Sequence, residues 1–457
     1  MLRRIPAGAL FVGAMLCFTC SAPAQSSDGE VPPPGFWHGD GWTGYVPAHL
    51  RHKKPAYQAP LPALGENIPA SFEEDVPMEP DASVFLDEPT LDDLGAYPMG
   101  ACDRTVGACD AEARCRTSCI TGRADYLLWW TQGMHVPALV TTGSTGALDQ
   151  PDTEILFGDS GLNSDSRSGG RFTLSLWRDP CRRRALEATY MTLGEETAVF
   201  TASDDDYSVV ARPFFNVGTG LQDARLIASP NFLQGSVSVT ATTDLQGMEI
   251  LSRKAVERGC RAEVDFLWGY RWVRLQDRLL IEESTLGLAV PNVGNTVELF
   301  DMFDTTNSFH GGVLGVNIRR QVHPLWTLDL LGKVALGGTR SVARVDGQTT
   351  ATDASGGIAI TDEGLLTQST NIGRYERSGF TTVSEFGVTL RRRIKCGLDF
   401  TFGYTLVYWN QVARAGNQVD FGVNRTDPLS GEARPAFSFE TTDFWAQGMH
   451  FGLEYAF

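Results

Sequence analysis

Apolar and polar residues alternate with a period of two over much of this chain, which predicts β-strands with one apolar and one polar face. The clearest example is the last stretch, from Phe444 to Phe457. One face of this stretch carries small or polar residues such as Gly448 and Glu454. The other face, in which Gln447 is the exception, consists of Trp445, Met449, Phe451, Leu453, Tyr455 and Phe457.

Nine earlier segments repeat this alternation, so we predict an all-β fold with ten strands. In the segment from Ala262 to Trp272 every second residue is apolar, and all but one of these are large. The predicted strands are 123–130, 171–177, 185–193, 246–256, 262–272, 313–320, 325–336, 380–393, 398–408 and 444–457.

The connections between these strands alternate between short and long. Short turns lie at 179–182, 257–260, 323–324 and 395–397, whereas the long connections include 194–245, 337–379 and 410–443. An antiparallel outer-membrane β-barrel that enters from the periplasm shows this order, with tight periplasmic turns and long extracellular loops. The connections at 194–245 and 274–308 are each long enough for one more hairpin, so we expect ten to twelve strands.

Composition agrees with a barrel, because only alternate strand residues face lipid. The hydrophobic fraction is 42% and the mean hydropathy is -0.14. The net charge of -17 excludes nucleic acid as a partner, since phosphate backbones require clustered Lys and Arg. We expect outer-membrane lipid to contact Tyr126, Leu128, Leu174, Val264, Phe266, Trp268, Leu328, Leu330, Phe400, Phe402, Tyr404, Phe451 and Leu453.

The first 122 residues predict three further segments. Arg3 and Arg4, an apolar run and a small-residue cleavage site indicate a signal peptide over 1–24. The segment 25–100 is rich in proline and acids, so we expect a disordered periplasmic tail. A Cys-rich connector, 101–122, precedes the barrel at 123–457. Its candidates for disulfides, whose pairing the spacing leaves open, are Cys102, Cys109, Cys115 and Cys119.

The polar faces of successive strands predict a network of opposite charges in the lumen, near the short turns. Each charge lies about four to six residues from a short turn, so the charges share one level of the barrel. The predicted network is Asp125, Glu187, Arg253, Glu263, Asp265, Arg319, Asp329, Arg391, Asp399 and Glu454. Because ten to twelve strands enclose little more than side chains, we expect this network to narrow the bore.

Several segments in this order resemble the planctomycete-type putative beta-barrel porin family. They include RADYLLWWTQGM (123–134), ARPFFNV (211–217), DLLGKVALG (329–337) and TDFWAQGMHFGLEYAF (442–457). The resemblance implies an outer-membrane barrel and no catalytic residues. The chain end also resembles the signal that barrel-assembly machinery reads, which assigns this role to Phe451, Leu453, Tyr455 and Phe457.

The function that follows is porin-like passage of small solutes or ions, without enzymatic activity, metal or cofactor. The alternative is a structural or adhesive surface anchor. A barrel-embedded hydrolase ranks third, and its nearest residues are Asp301, Asp304, Ser308 and His310. We expect His450 to be a hydrogen-bonded interior residue and Asp204, Asp205 and Asp206 to be a solvated loop rather than a Ca²⁺ site. Sequence does not indicate the oligomeric state.

Overall fold

The computed structural model describes residues 37–38, 41–42, 119–179, 181–259, 261–425 and 431–457. The chain divides into two units, Met1–Asp93 and Leu94–Phe457. In the first unit, β1 (Trp37–His38) and β2 (Gly41–Trp42) form an antiparallel pair. The predicted signal peptide, the rest of the acidic tail and the connector up to Ser118 lie outside the described residues, so these boundaries remain predictions.

In the second unit, ten antiparallel strands close into a barrel, in the order β14-β13-β12-β9-β8-β3-β20-β18-β17-β15, with β15 pairing back to β14. The all-β barrel is therefore confirmed, with ten strands in its wall. Closure gives every wall strand a hydrogen-bonded neighbour on both edges, which lipid requires because it offers no hydrogen bonds to an open edge. The wall strands are β3 (Ile120–Thr131), β8 (Arg167–Trp177), β9 (Arg184–Ser203), β12 (Leu233–Arg258), β13 (Ala262–Gly287), β14 (Thr296–His323), β15 (Trp326–Thr352), β17 (Gly373–Lys395), β18 (Leu398–Val412) and β20 (Thr442–Ala456).

The last wall strand pairs with the first, which forms the closing seam. Phe451 of β20 lies opposite Tyr126 of β3, and the backbone N–H of Phe457 donates to the carbonyl of Ile120 at 3.0 Å. The Phe457 ring lies edge-on to Tyr455, with centroids 4.9 Å apart. The proposed assembly signal is thus the strand that completes the wall.

The period-two pattern separates the two faces of the wall as predicted. Large apolar residues such as Phe266, Phe402 and Leu453 are exposed on the outer face. The outer face of β13 is apolar from Ala262 to Trp272, then changes to Arg274 and Gln276. Eleven residues at about 3.3 Å each, tilted by about 40°, span about 27 Å, close to the thickness of a barrel's apolar band. Among the described residues, no helix is long and apolar enough to cross a membrane.

The long connections are shorter than predicted because the strands continue into them, and the one predicted at 274–308 becomes a short turn. The longest wall strand, β14, has 28 residues, and β13 and β14 meet at a turn after Gly287. Neither of the connections considered for an additional hairpin adds a strand to the wall. Beyond the apolar band the outer face is in water, so polar residues such as Gln276 and Thr306 replace the apolar alternation on which the prediction depended.

The remaining elements lie on the inner side of these extended strands and form a layer that we call the plug. An apolar core joins plug and wall, with Phe214, Ile227 and Leu366 buried against Leu279 and Phe303. The plug contains β4 (Met134–Val136), β5 (Val140–Thr142), β6 (Glu154–Phe157), β7 (Ser160–Leu162), β10 (Val210–Asn216), β11 (Leu221–Ala228), a 3-10 helix (Ala415–Gln418) and β19 (Gly422–Val423). β16 (Ile358–Thr361) pairs with β15 at the far end of the wall.

We expect Arg at Phe266 or Phe402 to destabilise the barrel by about 2–4 kcal/mol, because both side chains face the apolar band. Urea refolding titrations in lipid vesicles measure this cost. The control is Gln276→Arg, on the same outer face but beyond the band, which should change stability by less than about 1 kcal/mol. Equal costs at Phe266 and Gln276 would contradict the assigned membrane position.

Candidate functional site

A chain of ion pairs follows the inner wall close to the short turns. Nine of the ten predicted lumen residues belong to it. Arg253 contacts Glu187 at 3.0 Å and Asp265 at 3.7 Å. Arg319 contacts Glu263 at 3.6 Å and Asp329 at 3.0 Å. Arg391 contacts Asp329 at 3.0 Å and Asp399 at 3.6 Å, and also pairs with Glu454.

Arg258, which sequence reasoning missed, joins these pairs into one continuous chain because it contacts both Glu263 and Asp265. Arg393 adds a further contact to Asp399. We call the whole set the charge ring. It draws side chains from eight of the ten wall strands and consists of Glu187, Arg253, Arg258, Glu263, Asp265, Arg319, Asp329, Arg391, Arg393, Asp399 and Glu454.

Asp125, the tenth predicted residue, lies on β3 and has different partners. Its carboxylate accepts hydrogen bonds from Arg123 Nε at 2.8 Å and Arg171 Nε at 3.0 Å. Thr401 also donates to it, at 3.3 Å. Asp125, Arg123 and Arg171 lie on β3 and β8, the two wall strands that contribute nothing to the charge ring.

A second group of charges, further from the short turns, reaches across the bore. Lys333 of β15 contacts Glu249 of β12 at 2.7 Å and Glu385 of β17 at 3.2 Å. Arg271 of β13 contacts the same two carboxylates, at 3.6 and 2.8 Å. All four side chains are at most 8% exposed. We call them the cross-bore quartet. Their inward positions could have been found by extending the same period-two count further from the turns.

A cavity of about 130 Å³ lies among these charges. Its lining includes members of the charge ring, Asp125 with its two arginines, and the quartet. The space accommodates ordered water or one small solute and is much smaller than an open aqueous channel. The interior near the short turns is therefore narrow and strongly polar.

Beyond the quartet, two aromatic side chains of the wall and the loop that follows β18 fill the bore. Phe309 and Trp409 lie edge to face, with centroids 6.2 Å apart, and both are fully buried. Asn307 of the wall donates to the carbonyl of Ala413 at 2.7 Å and accepts from its N–H at 2.8 Å. Arg414 pairs with Asp277 of β13. The loop after β18 is therefore attached to the wall by hydrogen bonds to its backbone and by an ion pair.

One buried cation attaches the plug to the extended wall. Arg212 of β10 contacts Glu283 of β13 at 3.0 Å and also pairs with Asp301 of β14. Both carboxylates are fully buried, and Arg212 is 1% exposed. Burial lowers the pKa of the guanidinium, but the Asp301 and Glu283 carboxylates outweigh this and raise the pKa above its ordinary value. Arg212 is therefore charged when the plug is seated.

The structure divides the four residues named for a barrel-embedded hydrolase between two faces of β14, with Asp301 on the inner face and Asp304, Ser308 and His310 on the outer face. Asp301 faces inward and accepts from the backbone N–H groups of Leu366 and Thr367, each at 2.9 Å. Asp304 and His310 face outward on the same strand, where Asp304 pairs with Arg278 and His310 with Tyr270. Asp301 is an odd number of residues from each of the other three, and an odd spacing places two residues on opposite faces of a strand.

The other polar residues considered from sequence have structural contacts. His450 is buried, with hydroxyl partners Thr389 at 3.1 Å and Thr405 at 3.3 Å. Asp206 accepts from Ser203, and Asp204 accepts from the N–H of Gly235, so both stabilise a turn. Within the described residues, no group of three or more His, Cys, Asp or Glu side chains is arranged to hold a metal ion.

The cysteine prediction needs one correction. Cys119 is an exposed free thiol rather than half of a disulfide. Its carbonyl accepts from the N–H of Trp177 at 2.7 Å, so its backbone already belongs to the wall. Cys181 and Cys396, in two of the short turns, are disulfide-bonded. Cys102, Cys109, Cys115 and Cys260 lie outside the described residues.

Comparisons with known proteins identify a family and several distant barrels. The model of the family described as Putative beta barrel porin-7 (BBP7) matches residues 122–457. No curated protein sequence matches the chain. The outer membrane protease OmpT from Escherichia coli is similar over 74% of this chain and 96% of its own, with 7% identity and a TM-score of 0.33. 

Two other solved structures have lower scores. The CymD monoaromatic hydrocarbon channel is similar over 75% of this chain and 89% of its own, with 7% identity and a TM-score of 0.20. A FadL homologue from Pseudomonas aeruginosa is similar over 74% of this chain and 90% of its own, again with 7% identity and a TM-score of 0.20. Similarities at this level indicate nothing about what this chain binds or does.

We expect Arg212→Met to release the plug, because it removes the cation that pairs with the buried Asp301 carboxylate and leaves Glu283 with Arg225 alone. The cost should be about 3–5 kcal/mol, as for other broken buried ion pairs. Limited proteolysis of the folded barrel measures the release of the plug, which should appear as faster cleavage between residues 204 and 232.

Two further variants separate charge from packing in this experiment. Adding Asp301→Asn to Arg212→Met should restore part of the protection, because Asp301 is the carboxylate that loses its cation, whereas Glu283 still pairs with Arg225. The matched control, Arg340→Met, breaks an exposed pair with Glu376 and should leave the cleavage rate unchanged, because solvent screens exposed ion pairs. A plug that is equally protected in all these variants would show that Arg212 does not hold it.

Proposed function

Because the chain belongs to the Putative beta barrel porin-7 (BBP7) family, we propose that it passes small solutes or ions through a narrow, normally obstructed lumen. The observation that carries this proposal is the ordered filling of the bore. The charge ring, the cross-bore quartet and the plug succeed one another from the short turns to the far end. A permeant must therefore be small and must exchange hydration for contacts with these charges.

The route that we propose leads through the polar cavity beside Arg123, Arg171 and Lys333. Passage beyond it requires the loop held by Arg414 and the plug held by Arg212 to move. Both attachments are ion pairs to strand β13 or β14 rather than covalent bonds. Transient release of these pairs, with release of the Asn307 hydrogen bonds and movement of the Phe309 and Trp409 side chains, would open the bore without unfolding the wall.

We place the barrel in the outer membrane, surrounded by lipid and inserted by barrel-assembly machinery, with the short turns and the N-terminal tail in the periplasm. Disulfides at Cys181 and Cys396 support an oxidising compartment for the short turns. We assign no enzymatic activity. The opposite faces of Asp301 and His310 support this assignment, as do the pairs of Asp304 with Arg278 and of His310 with Tyr270.

The second candidate function is a surface anchor, and the extended wall favours it. Strands β12 to β15 continue well past the apolar band. At the far end, apolar side chains are exposed, with Val290 at 89%, Ile358 at 67% and Ile360 at 63%. A protein that used the barrel as a holder would present such an end to a partner.

Conductance separates these two functions. In planar bilayers the native barrel should conduct weakly, and replacing Arg319 and Arg391 by Gln should raise the conductance and favour cations. The reason is that Asp329 and Glu454 lose their partners, whereas Glu263 loses Arg319 and keeps its contact with Arg258. The opposite variant, Asp329→Asn with Glu454→Gln, should favour anions.

Heat-modifiable migration in gels confirms that each conductance variant folds. The matched control is Arg278→Gln with Arg340→Gln, two cations of the outer face beyond the band, which should leave conductance unchanged. A native conductance as large as that of a general porin, insensitive to both ring variants, would disprove the obstructed lumen. Complete absence of current in every variant would favour the anchor.

The free thiol at Cys119 tests the orientation. An impermeant maleimide should leave Cys119 unlabelled on intact cells and label it after the outer membrane is permeabilised, because the thiol is exposed beside the short turns. Comparison with Cys119→Ser assigns the signal to this residue. Strong labelling of intact cells that disappears in Cys119→Ser would place the short turns outside.

A further inference from the structure

The outer face of the wall carries a cation on each of four strands where they approach the short turns. Arg184 begins β9, and Lys254, Arg320 and Arg392 lie within four residues of the ends of β12, β14 and β17. All four are exposed. Each continues the outward series of its strand, as Arg320 does after Leu314, Val316 and Ile318. We call these four residues the basic collar.

The charges of the basic collar are not neutralised by acids. Among the described residues, no carboxylate pairs with any of the four. Arg392 lies over the ring of Trp326, with 5.4 Å from the guanidinium carbon to the ring centroid. Arg178, Arg183, Arg261 and Lys395 add four exposed cations on the adjoining turns.

The acids close to the collar do not balance it. The carboxylate of Asp179 accepts from the backbone N–H groups of Arg183 and Arg184 at 2.9–3.0 Å, so it caps the turn. Glu257 is the other acid on these turns. This excess of cations is notable in a chain whose net charge is -17.

The opposite border of the apolar band has a different arrangement. Arg278 pairs with Asp304, Arg340 with Glu376 and Arg344 with Asp346, all on the outer face. Tyr408 donates to Asp443 at the same border. These three cations are therefore locally neutralised, in contrast to Arg274 at the same border and to the collar, whose cations are available to an external anion.

We propose that the basic collar binds the phosphate groups of anionic phospholipids in the leaflet at the short-turn side. Its position fits this ligand, because it lies at the edge of the apolar band, where headgroups meet the wall. Arg and Lys can extend from the last apolar positions to a phosphate while their stems stay on the apolar surface. The acyl chains of the same lipid would lie along Phe266, Val316 and Leu390. This proposal is independent of whether the lumen conducts.

Tryptophan quenching by brominated lipids tests the proposal on the folded full-length chain in vesicles. The measurement is the relative binding of brominated phosphatidylglycerol against brominated phosphatidylcholine. We expect a preference of about fivefold or more for the anionic lipid, since each cation near a membrane surface contributes about that factor. Added salt should reduce the preference.

The collar variant combines Arg184→Gln, Lys254→Gln and Arg320→Gln, and it retains Arg392 because that residue stacks on the fluorescent Trp326. It should bind the two lipids about equally. The matched control, Arg278→Gln with Arg340→Gln and Arg344→Gln, removes three cations from the other border and should keep the preference. Heat-modifiable migration checks the fold of both.

Three results would overturn the proposal. The first is equal binding of both lipids by the native chain. The second is a preference that survives in the collar variant or disappears equally in the control. The third is displacement of the anionic lipid by inorganic phosphate at an ionic strength matched with chloride, which would assign the collar to free phosphate.

Discussion

The circumference of a ten-strand wall is the constraint on which the rest of this structure depends. Such a wall encloses a space about as wide as the side chains that point into it. A charge on the inner face cannot remain hydrated there, so it must meet an opposite charge from another strand. The charge ring and the cross-bore quartet are the result. The plug is held in the same way at Arg212, which pairs with wall carboxylates where the wall extends beyond the membrane.

Much of the wall could be predicted from sequence because every strand that crosses the apolar band alternates between lipid-facing apolar residues and inward-facing residues. Phe266, Leu330 and Phe402 face lipid, so the residues between them must face inward, and the charged ones among them had to form a network near the turns. The same rule explains why Asp301 and His310 could not cooperate. Adjacent strands fix the neighbours of Arg319 and Arg391 without any knowledge of the loops.

The rest could not be predicted, for physical reasons. Gln276 and Thr306 face water, so their strands lack the alternation that identifies a lipid-facing surface. The quartet joins Glu249 to Lys333 across two intervening strands, and no sequence period encodes a contact across a bore. The plug depends on contacts such as Arg212 with Asp301, between segments that are distant in the chain. Cys119 was predicted to be paired because spacing alone does not show which cysteine belongs to the wall.

The closing seam has a consequence for the order of biogenesis. Ile120 and Phe457 stand at opposite ends of the wall-forming sequence, so the last strand cannot reach the first until the whole chain has been exported. Joining ends that far apart carries a large entropic cost before any seam contact compensates for it. Until then two strand edges remain open to incorrect partners. We therefore propose that the chain requires chaperones that protect these edges in transit and a template that holds the first strand until the last arrives.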